Sequence, residues 1–183
     1  GGYGLHVADG REESNYFMLG LLNSKILDHY VKRISSPFRG GYFSFARRFI
    51  EKLPIPDSDE TQRQIVERLV DHLLWLHRQP SVAQADHNHP QDPLIASYFE
   101  QTVNALVYEL FFPQELHTAS LHCFDLVTAA ALPAPDQLPP ETAARLDWHR
   151  QQFKKWSAPG HPLRVALDKL QTLDLVRIIE GHA

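Results

Sequence analysis

Proline limits what this chain can fold into. A helix that runs through proline loses a hydrogen bond and meets a ring clash, and thirteen prolines in 183 residues divide the sequence into short helical lengths. Between Pro56 and Pro80, Ile65, Leu69, Leu73 and Leu76 recur at three-and-four spacing, which predicts a helix to about Arg78 opened by a capping box of Asp57 and Glu60. Gln79 to Gln91 reads as a loop. Asp92 then caps, and Pro93 begins, a helix whose Ile95, Phe99, Val103, Leu106 and Leu110 fall on one stripe. Pro113 opens a further helix to about Ala130. Residues 133–140, with four prolines, form the clearest linker. Glu141 to Trp156 and Pro162 to Ile179 are expected to be helical on either side of Pro159-Gly160, and Trp75, Trp148 and Trp156 are expected to pack helices together. With 43% hydrophobic residues the chain can bury a real core. Its single cysteine, Cys123, excludes an internal disulfide and a multi-cysteine zinc cage. No apolar run reaches the length of a membrane span. These features predict a soluble, cytoplasmic protein with no membrane partner.

Ahead of Pro56 the pattern changes. Leu19, Leu22, Ile26, Tyr30 and Ile34 predict one amphipathic helix from about Asn15 to Ser35, stopped by Pro37. Gly40 and Gly41 permit a tight turn, and Tyr42, Phe43, Ser44 and Phe45 have the aromatic content of a strand. Tyr3 to Val7 reads as another. The expected fold is therefore α+β and mostly helical: a small N-terminal mixed α/β element over residues 1–56, a helical region over 57–132, the linker, and a C-terminal helical pair over 141–183.

Charge is concentrated in the first of these. Lys25, Lys32, Arg33, Arg39, Arg47, Arg48 and Lys52 stand against only Asp28 and Glu51, a local excess of five positive charges in a chain whose net charge is −4. A local basic face can neutralise phosphates even where the whole chain is acidic.

The segment from Leu21 to Pro56 resembles the TaqI-like specificity region at the C-terminal end of adenine-specific DNA methyltransferases and fused type II restriction-modification enzymes. The residues that carry this are the Leu21-Leu22-Asn23-Ser24 opening, the Ser36-Pro37-Phe38-Arg39-Gly40-Gly41-Tyr42 turn, and Leu53-Pro54-Ile55-Pro56. Glu60 to Val66 is similar to the segment that follows the same proline pair in type I specificity subunits, and His161 to Gly181 resembles the extreme C-termini of such enzymes. The resemblance implies target recognition on double-stranded DNA. Lys32, Arg33, Ser36, Phe38, Arg39, Gly40, Gly41, Tyr42, Ser44, Arg47 and Arg48 would form the interface, with phosphate contacts setting register and Arg39 first in line to read a guanine edge. The cofactor implied for the parent enzyme is S-adenosylmethionine, held by an N-terminal methyltransferase domain that would be this chain's partner. No cofactor is expected here: there is no glycine-rich cofactor loop, and Asn15, Asn23, Asn88 and Asn104 do not precede a proline pair. Because the chain opens at Gly1-Gly2-Tyr3 without methionine, it reads as a fragment of such an enzyme. The alternative is a helical scaffold, in which Thr61 to Arg78 supplies the seam of a homodimer without touching DNA.

Other constellations have simpler readings. His87-Asn88-His89 is contiguous, whereas a nuclease would distribute such residues over two strands and a helix, so a solvated loop is expected. His117, His122 and Cys123 do not share one helix face, and no second cluster completes four ligands, so no metal is expected. No Asp-x-Lys or Glu-x-Lys follows Pro56-Asp57, and neither Ser35 nor Ser36 has a partnered histidine, so no catalytic residue is assigned. Tyr16, Phe17, Phe43, Phe45 and Phe49 are expected in the core, which leaves Phe38 and Tyr42 as the aromatic DNA contacts.

Overall fold

The computed structural model describes residues 14–37, 42–84 and 87–181. Its regular structure is helical: α1 (Asn15–Leu22), α2 (Lys25–Ile34), α3 (Arg47–Ile50), α4 (Glu60–Leu76), α5 (Pro80–Ala83), α6 (Asp92–Phe111), α7 (Pro113–Thr118), α8 (Cys123–Ala129), α9 (Thr142–Trp156), α10 (Pro162–Leu170) and α11 (Asp174–Glu180). The expected α+β class is not borne out. Among the described residues no sheet forms, and Tyr42 to Phe45 contributes only one isolated antiparallel bridge, between Pro37 and Phe43. A lone extended segment has no second ladder to satisfy its backbone groups, so the aromatic content did not produce a strand. Tyr3 to Val7 lies outside the described residues.

α6 is the centre. Thirteen of its twenty residues are buried: its first turns leave only a stripe of Leu94, Ser97, Glu100 and Gln101 exposed, and from Ala105 to Leu110 every residue is buried, so it must have neighbours on several sides. α1, α2, α4, α5, α7, α8, α9 and α10 all pack on it. A single apolar cluster runs from Phe17 of α1 to Val176 of α11. Trp156 is buried in it, with the half-buried Trp75 and Trp148 against its edge, as expected for tryptophans that join helices.

Several helix boundaries differ from the sequence reading, and local hydrogen bonding supplies the reason. The expected helix Asn15–Ser35 is two helices. Asn23 caps α1 by donating from its side-chain amide to the Leu19 carbonyl (2.9 Å), and the buried Ser24 Oγ accepts from Leu27 N to begin α2. Apolar spacing continues across this break, so periodicity does not register it. α4 is opened by Asp59 with Gln62, in a reciprocal capping box, rather than by Asp57 with Glu60. Gln91 takes the N-cap position of α6, which frees Asp92 for an ion pair. The expected helix from Pro113 to Ala130 is broken between α7 and α8 by Ser120, whose φ of 55° leaves the helical region. The expected helix Pro162–Ile179 is broken at residues 171–173. Residues 133–140 hold a 3-10 turn, Pro135–Gln137, and lie against α4, where Arg68 Nη1 donates to the Leu132 carbonyl.

Two buried details control stability. Gly20, on α1, sits where a Cβ would lie 3.0 Å from a Val66 methyl and 3.1 Å from a Val70 methyl of α4. Both neighbours are β-branched and stiff, so the glycine is needed for close approach. Asp92 is only 3% exposed and accepts a fork of hydrogen bonds from Arg150 of α9, 2.9 Å from Nε and 2.7 Å from Nη2. Burial pushes the Asp92 carboxyl up, but the Arg150 bonds prevail and hold it below the usual carboxylate range.

Gly20→Ala is expected to cost about 1–3 kcal/mol despite alanine's better helix propensity, because α1 must lift from α4. Arg150→Met is expected to cost about 3–5 kcal/mol by leaving a buried carboxylate without its partner. Urea unfolding of both variants against the parent chain checks these values.

Candidate functional site

The basic element is built on α2 and α3. α2 is strongly amphipathic: Ile26, Leu27 and Val31 face the core, and Lys25, Lys32 and Arg33 face solvent. Its amino end is fixed twice, by Ser24 and by Asn104 of α6, whose Oδ1 accepts from Lys25 N at 2.8 Å. Its far side is held by α11, where His29 Nδ1 donates to the Ile179 carbonyl (3.1 Å). α3 packs on α2 with Phe49 turned inward and Arg47 and Arg48 exposed.

Between α2 and α3 the chain makes a loop with a pinched neck. Ser44 N donates to Ser35 Oγ (2.9 Å) and to the Ser36 carbonyl (3.2 Å), and Pro37 pairs with Phe43 just beyond. The tip, Phe38, Arg39, Gly40 and Gly41, lies outside the described residues. Ser36 is exposed and Ser44 half-buried at the neck. Tyr42 is 74% exposed. Of the five aromatics expected in the core, Phe17 and Phe49 are buried and Phe43 is half-buried. Phe45, at 52% exposed, and Tyr16, at 44%, are at the surface. For Phe45 the reason is that no sheet forms among the described residues to cover it.

The cations remain accessible. Lys32 pairs with Asp28 one turn back at 2.5 Å, an exposed contact that a phosphate can replace at little cost. Arg47 meets Glu51 loosely at 3.6 Å and is 84% exposed. Arg48 lies over the Phe49 ring at 4.7 Å from the centroid, which holds its guanidinium in place without neutralising it. Arg33 is exposed and has no carboxylate partner among the described residues.

Elsewhere, His87, Asn88 and His89 are exposed in the α5–α6 connection, as a loop reading expects. Cys123 is buried and its thiol is pushed up to about 12 by desolvation and by the nearby Glu109, so it is not a reactive thiolate. One site was not visible in sequence. His72 of α4 and His149 of α9, both fully buried, meet through Nδ1 and Nε2 at 2.9 Å. The outer nitrogens face backbone carbonyls: His72 Nε2 is 3.0 Å from Pro133 O, and His149 Nδ1 is 2.8 Å from Arg145 O. Three hydrogen bonds in this row would need three ring protons, and two neutral imidazoles bring two. Desolvation nonetheless dominates and lowers both rings to about 4. Seventy-seven residues separate the pair, and neither histidine has a sequence neighbour that signals the other.

The chain matches no family model, no curated protein and no solved structure.

The histidine pair gives a pH signature. In the unfolded chain both imidazoles protonate near 6.5, whereas in the folded chain they stay neutral to about 4. The unfolded state therefore binds more protons in that window, and stability is lost as pH falls from about 6.5 to about 4, by about 3 kcal/mol for each ring that stays neutral. Urea midpoints measured across this range should fall in the parent chain, and the fall should be smaller in the His72→Leu/His149→Leu double variant.

Proposed function

We propose that this chain is a DNA target-recognition element of a site-specific adenine DNA methyltransferase or restriction-modification enzyme, and that methyl transfer with S-adenosylmethionine belongs to another domain of that enzyme. The observation that carries the reading is the state of the basic face: Arg33, Arg47 and Arg48 are exposed and not consumed by buried carboxylates, and they flank a pinched loop with exposed Tyr42 and Phe45. Exposed cations beside exposed aromatic rings suit a phosphate backbone and the base edges or faces next to it. Had the arginines been paired internally, the same sequence would have offered no surface to a polyanion. In this reading Lys32, Arg33, Arg47 and Arg48 clamp phosphates, Lys25 and Lys52 flank them, the Ser36–Ser44 neck sets the angle at which the tip enters a groove, and Arg39 reads a guanine.

The scaffold alternative draws less support. In the apolar stripe of the Thr61–Arg78 segment that would form a dimer seam, Leu69 and Leu76 are already buried within the chain, and Ile65 and Leu73 are half-buried against the same core. A homodimer through them would have to unpack the core.

Fluorescence anisotropy on a random-sequence duplex should show affinity falling steeply with salt, and Arg33→Ala and Arg48→Ala should each reduce the slope of log K against log salt by about 1. Arg39→Ala should instead cost about 1–3 kcal/mol on duplexes selected by the parent chain from a randomised pool, and little on unselected ones. Affinity that is weak, independent of salt and indifferent to all three substitutions would reject the proposal.

A further inference from the structure

We propose that Glu109, His117 and His122 bind a single divalent transition-metal ion of the zinc type, with a coordination position left to water. The site is independent of the DNA reading and lies on α6, α7 and the start of α8. One ligand atom from each of the three residues lies within 4.8 Å of the others. Around a zinc ion about 2.1 Å from each ligand, tetrahedral geometry would bring those atoms to about 3.4 Å apart, so closure needs only a small rotation of two exposed rings.

The donor set is graded in a useful way. Glu109 is the anchor. Its side chain is 8% exposed, and Oε2 accepts from the buried Phe124 N at 3.0 Å, which fixes the carboxylate. Oε1 points outward and accepts from His117 Nε2 at 2.7 Å. The His122 ring stacks on that of His117, with centroids 4.6 Å apart. Neither imidazole reaches the core, so both can turn toward an ion.

The turn between them explains why sequence spacing obscured this arrangement. Ser120 N donates to the His117 carbonyl and Leu121 N to the Leu116 carbonyl, both at 2.9 Å, while Ser120 adopts a φ of 55°. This is a helix C-cap of the kind glycine usually occupies, here adopted by a residue with a Cβ. It reverses the chain and returns His122 over His117, next to a carboxylate eight residues earlier. An ordinary histidine–carboxylate hydrogen bond would account for His117 and Glu109 alone. It would not account for a second imidazole stacked at the same place. Two neutral imidazoles and one carboxylate suit zinc, nickel or cobalt rather than calcium or magnesium, which prefer all-oxygen sets. Binding through His117 Nε2 would break its hydrogen bond to Glu109, with the ring proton carried on Nδ1 in the other neutral tautomer.

The test is titration of the full chain with zinc chloride by calorimetry, with cobalt(II) as a spectroscopic substitute. Expected are one ion per chain and a tetrahedral-type cobalt spectrum. His122→Ala should weaken binding by more than about tenfold, the loss typical of even an outer-shell partner. His117→Ala should do the same, and His87→Ala/His89→Ala should leave binding unchanged. Because the His122 side chain is exposed and, among the described residues, makes a ring contact but no hydrogen bond, its loss tests the site without unfolding the chain, which circular dichroism verifies. Absence of saturable binding, unchanged affinity in His122→Ala, or loss of binding in the His87/His89 variant instead would each overturn the proposal.

Discussion

Burial of α6 over most of its surface governs the rest of the molecule. Its apolar surface is too wide for one partner to cover, and each additional neighbour removes more of it from water. Orientation is decided by the polar groups α6 retains. Asp92 holds Arg150 of α9, and the Tyr98 hydroxyl donates to the Trp156 carbonyl at the end of the same helix (2.8 Å). Asn104 caps α2, the Tyr108 hydroxyl reaches Glu180 of α11 (3.2 Å), and Glu109 accepts from Phe124 of α8 and His117 of α7. Each of these is a polar group inside or at the edge of a dry core, where an unmade bond is expensive. Together they fix the register of α2, α7, α8, α9 and α11 against α6.

The basic face depends on that arrangement. α2 is capped by α6, held from behind by α11, and carries α3 on its side, so Lys25, Lys32, Arg33, Arg47 and Arg48 project from a scaffold whose underside, Leu27, Val31 and Phe49, is buried. A rigid base beneath long, solvated cationic side chains suits binding to a regular polyanion: the backbone bears little reorganisation on contact, and the side chains retain reach. The pinch at Ser35, Ser36 and Ser44 extends the same logic to the loop, because it closes the neck with hydrogen bonds that do not need a sheet.

Helix existence was legible from periodicity for α4 and α6 and from proline punctuation for α9, and the buried stripe of Ile95, Phe99, Val103, Leu106 and Leu110 is where the spacing put it. Breaks were less legible. Asn23-Ser24, Ser120 and residues 171–173 interrupt helices without proline or glycine, through side-chain capping or a left-handed residue, and the apolar repeat passes across them. The aromatic run at Tyr42–Phe45 illustrates the opposite error: strand propensity measures fit to a pleated neighbour, and no neighbour is present among the described residues. The cations of the candidate interface could be listed from sequence, but whether each would be neutralised could not, since that depends on which acids reach it.

The amino-acid sequence by itself determined where apolar stripes and prolines fall, and with them the helical character of the chain and the clustering of positive charge ahead of Pro56. Those are local properties, fixed by spacing along the backbone. Only the tertiary structure decided that His72 meets His149, that Glu109 joins His117 and His122, and that Asp92 is consumed by Arg150. Such pairings depend on how helices cross and turn, and two side chains far apart in sequence carry no local mark of the geometry that will bring them within 3 Å.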